Sequence, residues 1–170
     1  MRLLAGRQQG SRLHAKWLRR DKVSSLRLRD VCRVSPGDSI ERVVRKMVEC
    51  RTGFALVMDG ADGSARLVGI FTERDFINRV VAAGRDVSEP VERVMTAGPK
   101  VVSRSGTVQS AVEMMESGGY RHLPVVGERG EPLGVLSVKD VVRYLVEYFP
   151  ARVYNLPPTP ELTQPAREGA

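Results

Sequence analysis

The chain has 170 residues, of which 42% are hydrophobic, and both values are typical of one compact domain or of two small domains that share a core. No apolar run approaches the roughly 18 residues that a membrane-spanning helix needs. The two cysteines, Cys32 and Cys50, lack the spacing of a metal site, so we expect two small buried thiols in a reducing cytoplasm.

The basic charge is concentrated at the N-terminus. Residues 1–30 contain nine Arg or Lys and two Asp, so their net charge equals the +7 of the whole chain. We interpret this segment as a basic arm, in which Leu13 and Trp17 have the spacing of a short amphipathic helix. Such an arm is suited to weak contact with nucleic acid or an anionic membrane surface. The alternatives are an organelle-targeting segment, which it superficially resembles, and a solvated or dimer-docking arm.

The chain after the arm predicts the element order β-α-β-β-α. The apolar runs indicate a leading strand at 31–34, a helix over 40–47, and strands at 54–58 and 67–71. Asp38 or Ser39 can cap the first helix, and Gly53 ends it. Thr72 begins the second helix, with Asp75 three residues later.

The second half of the chain predicts the same order. Its elements are a leading strand at 100–102, a helix over 108–116, strands at 123–126 and 133–136, and a helix from 137 to about 148. Gly118 and Gly119 end the first of these helices. A Pro-rich tail follows at residues 151–170, and it is too short to be a catalytic domain.

The two halves are copies of one unit. The stretch GIFTERD (69–75) repeats as GVLSVKD (134–140), so that Gly, a hydroxyl residue and Asp recur 65 positions apart. Upstream the offset is 68, and the first copy carries its three extra residues in the turn DGADGSAR (59–66). Insertions in such a surface turn cost little. The copies span about 31–82 and 99–149.

These repeats resemble the CBS domain, a small regulatory module named for cystathionine β-synthase that occurs in tandem pairs. The resemblance is carried by the two repeated stretches, by VMTAGPKVV (94–102) and by GGYRHLPVV (118–126). It implies an α+β (α/β-like) fold in which two β-α-β-β-α repeats pack as a pseudo-twofold pair. The expected organisation is the arm at 1–30, CBS domain 1 at 31–90, CBS domain 2 at 91–150 and the tail.

The repeated hydroxyl and acidic residues form a candidate nucleotide site. Thr72 and Ser137 stand at helix N-caps, where first-turn N–H groups and the helix dipole suit a phosphate. The carboxylates of Asp75 and Asp140 can accept hydrogen bonds from a ribose diol. The alternative is that both pairs are only capping boxes that stabilise their helices.

The family resemblance implies further site residues in the second copy. Arg121 and His122 match a segment that lies beside the nucleotide in CBS pairs, although a surface ion pair and a partly buried hydrogen-bonding side chain are the plain alternatives. The same stretches contribute Tyr120 and Lys139 as candidates. Further candidates that surround the adenine, or that belong simply to the core, are Val102, Ser103, Val108 and Ala111. The first copy departs from the pattern at TGFALVM (52–58), where Gly-Phe replaces Arg-His.

The motifs favour a binding module and not an enzyme. The sequence contains no phosphate-binding P-loop, no dinucleotide fingerprint and no motif that pairs a nucleophile with a base. We expect no cofactor. We expect a cytoplasmic homodimer that binds AMP, ADP, ATP or a related adenosyl ligand and signals to an unidentified protein partner. The alternative is a nucleic-acid or membrane-surface adaptor in which the arm binds and the repeats supply dimerisation.

Overall fold

The computed structural model describes residues 20–60 and 65–148, and it confirms the α+β fold of two similar repeats. The elements of the first repeat are β1 (Arg33–Val34), α1 (Ile40–Glu49), β2 (Phe54–Asp59), β3 (Arg66–Thr72), and α2, which begins as Glu73–Asp75 and continues with π-helical geometry over Phe76–Val81. The short strand β4 (Thr96–Ala97) follows. The elements of the second repeat are β5 (Val102–Ser103), α3 (Val108–Gly118), β6 (His122–Val126), β7 (Pro132–Ser137) and α4 (Val138–Tyr148).

Each repeat is built on a small mixed sheet. The first sheet has the order β1-β2-β3-β4 and the second has the order β5-β6-β7. In both, the short leading strand runs parallel to its neighbour, and the next two strands form an antiparallel pair. The two pairs correspond at each register position. Leu56 lies opposite Ile70 in the first sheet, and Pro124 lies opposite Val135 in the second.

Two segments cross from one repeat to the other, and we call residues 21–30 lead segment 1 and residues 89–98 lead segment 2. Thr96 of lead segment 2 pairs with Ile70 in the first repeat, although it precedes the second repeat in the chain. Arg29 of lead segment 1 pairs in the same way with Val135 of the second repeat. The two repeats therefore exchange their lead segments.

The exchange extends into the hydrophobic core. Val23 and Leu26 of lead segment 1 are buried in the core of the second repeat, and Val91 and Val94 of lead segment 2 are buried in the core of the first. The backbone N–H of Val23 donates to Gly106 at 2.9 Å. The hydroxyl of Tyr144 donates to the carboxylate of Asp21, which fixes lead segment 1 to α4.

This exchange was not predicted from the sequence. All of residues 1–30 were expected to form a basic arm, whereas the last ten residues of that range pack as lead segment 1. Residues 1–19 lie outside the described residues. The sequence does contain a sign that the copies begin earlier. Val23 and Leu26 stand 68 positions before Val91 and Val94, and 68 is the offset that relates the upstream parts of the two copies.

A third core cluster joins the repeats. It contains Phe54, Leu56, Met58 and Ile70 from the first sheet, and Val135 from the second. The ring of Phe54 packs on His122 of the second repeat, with ring centroids 5.1 Å apart. Packing across these faces gives the two repeats one shared interior.

The structure corrects one expectation about the cysteines. Cys32 is buried as expected, but Cys50 is exposed at the C-terminal end of α1. Cys50 is the C-cap of α1, and the two residues before it, Val48 and Glu49, are exposed as well, so the whole end of the helix faces solvent.

The first prediction tests whether lead segment 1 belongs to the core. Val23→Ala should lower the free energy of unfolding by about 2 kcal/mol, because it removes two buried methyl groups at roughly 0.8 kcal/mol each and leaves a cavity. Urea denaturation measures this change. Val48→Ala makes the same chemical change at a side chain that is 72% exposed, and it should alter stability by less than about 0.5 kcal/mol. Equal losses in the two variants would remove lead segment 1 from the core.

Candidate functional site

A cleft of about 1040 Å³ lies between the two repeats. Its walls come from the end of α1, the starts of α2 and α4, the segment between β4 and β5, and the turn between α3 and β6. A volume of this size is at the upper end of the range for small-molecule pockets. The cleft is therefore large enough to hold a nucleotide.

The start of α2 is held by a reciprocal capping box. The hydroxyl of Thr72 accepts a hydrogen bond from the Asp75 backbone N–H at 3.3 Å. The Asp75 carboxylate in turn accepts bonds from the backbone N–H and the hydroxyl of Thr72, at 3.0 and 2.7 Å. The second oxygen of Asp75 lies 3.4 Å from Arg79. Thr72, Asp75 and Arg79 all line the cleft.

The start of α4 repeats this arrangement, with one addition from lead segment 1. The carboxylate of Asp140 accepts bonds from the backbone N–H of Ser137, at 3.0 Å, and from its hydroxyl. The Asp140 N–H donates to the Ser137 hydroxyl at 3.3 Å. Arg29 also lies against this carboxylate, at 3.3 Å, and Arg143 approaches its other oxygen at 3.8 Å. Both caps are therefore capping boxes of the kind that the sequence left as an alternative.

The second box leaves little of Asp140 for a ligand. This residue is only 5% exposed and, unlike Asp75, does not line the cleft. Its carboxylate already has four donor groups around it, two from Ser137 and one each from Arg29 and Arg143. A ribose diol at this point would have to replace one of them, and Arg29 is the partner that also faces the cleft.

The helix N-termini are also partly used. The first N–H of α2, from Glu73, donates to Gly53 at 3.1 Å, and the first N–H of α4, from Val138, donates to Arg121 at 3.1 Å. The N–H groups of Asp75 and Asp140 are bound by the capping hydroxyls. The backbone alone is therefore a weak phosphate site, and charged side chains have to supply most of the attraction.

The structure brings some of the predicted site residues together and separates others. Those that line the cleft are Thr72, Asp75, Tyr120, Arg121, His122, Ser137 and Lys139. The others lie elsewhere: Val102, Val108 and Ala111 are buried in the core of the second repeat, and Ser103 is exposed, with its hydroxyl 2.9 Å from that of Ser105. The structure therefore groups seven of the candidates around one space.

Sequence reasoning missed most of the positive charge of the cleft. Seven Arg or Lys and two acidic residues line it, and the basic residues are Arg29, Arg51, Arg74, Arg79, Lys100, Arg121 and Lys139. Arg29 and Arg79 are paired with Asp140 and Asp75. The guanidinium of Arg74 donates to the carbonyl of Gly119 at 3.3 Å, across the boundary between the repeats. The cleft therefore has a strong excess of cations.

Besides Arg74, which bonds only to the carbonyl of Gly119, four of these cations have no ion-pair partner among the described residues. They are Arg51, Lys100, Arg121 and Lys139, and they come from both repeats. Arg51 also has a left-handed backbone, with φ 52°, which is uncommon for a residue other than glycine. Its counterpart 68 positions later is Gly119, with φ 63°. Both residues occupy the same turn in their repeats, which explains the left-handed backbone of Arg51. Because the first repeat has arginine where the second has glycine, an arginine lies at the first-repeat edge of the cleft.

His122 carries no charge at neutral pH. Burial lowers its pKa, and the positive charges of Arg121 and Arg29 lower the pKa further, although Glu73 and Asp140 oppose them. Its ring packs against Phe54, so the aromatic pair closes one side of the cleft. A neutral ring suits contact with a flat base, and a phosphate close to it would favour protonation.

The lowered pKa of His122 predicts how stability depends on pH. Below its ordinary value of 6.5, the unfolded chain binds a proton at His122 more readily than the folded chain does. The stability that the neutral His122 ring allows is therefore fully present above pH 6.5. As the pH falls below 6.5, the free energy of unfolding decreases, because the unfolded chain gains the proton first. His122→Gln should reduce the slope of stability against pH in this window. Urea denaturation of both proteins across the window measures the difference, and equal slopes would contradict it.

Within residues 20–60 and 65–148, no three His, Cys, Asp or Glu side chains are grouped as a metal ion would require. No helix in those ranges has the length and apolar character to cross a bilayer.

Comparison with known proteins supports the family resemblance. The CBS domain profile matches residues 23–82 and 91–147. An uncharacterized 17.7 kDa protein of Acidianus ambivalens is 35% identical over 126 residues, which cover 74% of each chain. The CBS domain-containing protein CBSCBSPB1 of Arabidopsis thaliana is 36% identical over 117 residues, or 68% of this chain, but the match spans only 21% of that longer protein.

A solved structure agrees with the fold. The CBS domain protein PAE2072 of Pyrobaculum aerophilum, complexed with AMP, superposes with a TM-score of 0.66 and 29% identity, over 76% of this chain and 98% of that one. The two profile matches begin at Val23 and Val91, which are the buried residues of the two lead segments. The chain belongs to the CBS domain family and carries two tandem CBS domains.

Proposed function

We propose that the chain is a regulatory module that binds an adenine nucleotide in the cleft between its two CBS domains. The excess of cations in that cleft is the observation that carries the proposal. Arg51, Lys100, Arg121 and Lys139 face one space without a described acidic partner, so an anionic ligand gains their attraction without breaking an ion pair. We propose no catalytic step, since binding alone accounts for the residues at this site.

The proposed ligand has an adenosine part because of the relative from Pyrobaculum aerophilum, which is complexed with AMP. The chemistry of the cleft is compatible with that choice. The neutral His122 ring and Phe54 provide an aromatic surface, and Asp75 provides a carboxylate that lines the cleft and can accept bonds from a ribose. The ribose role of Asp140 stays a prediction, and it requires that Arg29 moves.

The charge balance favours several phosphates over one. With Arg74, five cations of the cleft have no acidic partner among the described residues, which suits the roughly four negative charges of a triphosphate better than the roughly two of a monophosphate. Because Arg51 and Arg121 stand on different repeats, a longer phosphate chain is able to contact both. We therefore propose that affinity rises from adenosine to AMP to ATP.

The exchange of lead segments offers a route by which a bound ligand can signal to a partner. Arg29 lines the cleft and also binds Asp140, so a ligand that displaces it alters the position of lead segment 1. This segment is continuous with the basic residues 1–19, which lie outside the described residues. The adaptor role of that arm, and a cytoplasmic location, stay predictions.

We also propose that two chains form a dimer through α2 and α4. These helices expose large apolar side chains: Ile77 is 59% exposed, Val81 is 61% exposed and Val142 is 52% exposed. Within one chain, both helices thus leave part of their apolar surface uncovered. Closed twofold dimers are the commonest way to cover such a surface.

The nucleotide prediction is tested by titration calorimetry of the full chain with adenosine, AMP and ATP. Arg121→Ala should weaken ATP binding by about tenfold, since a hydrogen bond to a charged group contributes roughly 1.5 kcal/mol or more. Arg45→Ala is the matched control, because Arg45 is exposed on α1 and pairs with Glu41 at 2.5 Å outside the cleft. It should bind ATP as the parent does.

Three results of these titrations lead to different conclusions about the site. If none of the three ligands binds, the proposed function is wrong. If adenosine binds as tightly as ATP, the cations do not contact the ligand. If added salt abolishes binding to DNA but weakens ATP binding much less, the basic arm and the cleft act as separate sites.

The dimer prediction is tested by light scattering, which should return twice the mass of one chain. Ile77→Lys should shift the protein toward the monomer, because a charge would be placed on the buried face of the dimer. Val87→Lys is the control, since this valine is 40% exposed but lies outside α2 and α4. A monomeric parent protein at micromolar concentration would refute the dimer.

A further inference from the structure

An apolar groove beside the cleft lies between α3 and α4 of the second repeat. Its volume is about 280 Å³, and the residues that line it are Val112, Met115, Glu116, Tyr120, Val138 and Val141. At its rim, Tyr120 is 39% exposed and Val138 is 41% exposed, so part of its apolar surface is open to solvent in the described chain. A cavity of about 150 Å³ holds one benzene ring, so the groove has room for about two apolar side chains.

The groove lies at the opposite end of α4 from Tyr148, the last described residue. The backbone N–H of Val108, at the start of α3, donates to the carbonyl of Asp21 at 2.8 Å, and Tyr144 donates to the carboxylate of Asp21. The start of α3 therefore lies beside the C-terminal half of α4, and the groove is formed where α3 ends and α4 begins. A helix rises about 1.5 Å per residue, so Tyr148 is about 15 Å from Val138 along α4.

The sequence after Tyr148 has the composition to fill this groove, although residues 149–170 lie outside the described residues. Pro150 is expected to end α4, because it has no N–H and disfavours helical geometry at the residue before it. An extended chain covers about 3.3 Å per residue, so about five residues after Tyr148 are enough to reach back to the groove. The apolar residues at that distance are Val153, Tyr154 and Leu156.

The charges of the two parts are complementary. Glu116 is the one charged residue among those that line the groove, and it has no ion-pair partner within residues 20–60 and 65–148. The segment 149–156 carries a single charge, that of Arg152. Successive side chains of an extended segment point to opposite sides, so Arg152 shares one side with Tyr154 and Leu156. One face of the segment thus presents two apolar side chains and one cation to an apolar groove with one carboxylate.

We propose that residues 149–156 fold back along α4 and bind in this groove, with Tyr154 and Leu156 on its apolar floor and Arg152 beside Glu116. A segment attached so close to its site acts at an effective concentration of roughly millimolar, so modest contacts hold it in place. A second chain lacks this advantage. The docked segment is independent of the nucleotide, although it borders the cleft, because Tyr120 and Val138 line both.

Photo-crosslinking of the full chain tests the contact directly. Tyr154→p-benzoylphenylalanine, after irradiation and digestion with trypsin, should give a linked peptide that joins residues 153–167 to residues 105–121, which contain Met115. The same probe at Thr163, beyond the docked segment, should give no such link. A mixture of ¹⁵N-labelled and unlabelled protein shows whether the link forms within one chain. A missing link, or one that forms only between chains, overturns the proposal.

Limited digestion with chymotrypsin tests the contact without a probe. Within residues 149–170 the aromatic residues are Phe149, which precedes a proline that blocks cleavage, and Tyr154, which does not. Val138→Asp places a charge in the groove at a helix start that tolerates an acid. It should release the segment and raise the rate of cleavage after Tyr154 roughly fivefold or more, because cleavage follows the population of the open form.

Val142→Asp is the matched control for this digestion. It makes the same change one turn later on α4, at a residue that is exposed but does not line the groove. It should be cleaved after Tyr154 at the rate of the parent protein. Equal rates in the parent and in Val138→Asp, with the fold of both verified by circular dichroism, contradict the docked segment. An equal rise in Val142→Asp assigns the segment to the dimer face and also refutes the groove as its site.

Discussion

The exchange of lead segments is the constraint on which the rest of the structure depends. Val23 completes the core of the second repeat and Val91 completes the core of the first, so neither repeat has a closed interior without the other. The backbone bridges at Arg29 and Thr96 then fix how the two sheets meet. The cleft results from the way in which the two sheets pack against each other. Its walls are helix starts and turns from both repeats, and its position is set by packing and not by the ligand.

The electrostatics of the cleft follow from the same exchange. Each carboxylate of the two capping boxes faces an arginine of its own helix, Arg79 for Asp75 and Arg143 for Asp140, and Asp140 also meets Arg29 of lead segment 1. The boxes therefore stabilise α2 and α4 and leave the remaining cations of the cleft without acidic partners. Burial, together with the positive charges of Arg121 and Arg29, lowers the pKa of His122 and favours its neutral ring. The local structure thus creates a site that is positive overall, yet contains one uncharged aromatic ring.

The sequence predicted the repeated elements well, since apolar periodicity and glycine-rich turns act over short distances. It also indicated Thr72, Ser137 and Arg121, because the repeated motifs carry them. It did not reveal Arg29, Arg51 or Lys100, since which charged side chains share a cleft depends on how the two repeats pack. The last part of the arm was misjudged for a related reason. The interpretation rested on the net charge of residues 1–30, and Val23 and Leu26 are two of several apolar residues in that range, which composition alone does not mark as buried.

The crossing of lead segment 1 also has a consequence for synthesis of the chain. Asp21 contacts Tyr144 across 123 positions, and Arg29 contacts Asp140 across 111. A ribosome releases the N-terminal residues long before these partners exist, so Val23 and Leu26 stay exposed until almost the whole second repeat has emerged. Contacts of such long sequence separation slow folding and lengthen the exposure of apolar surface.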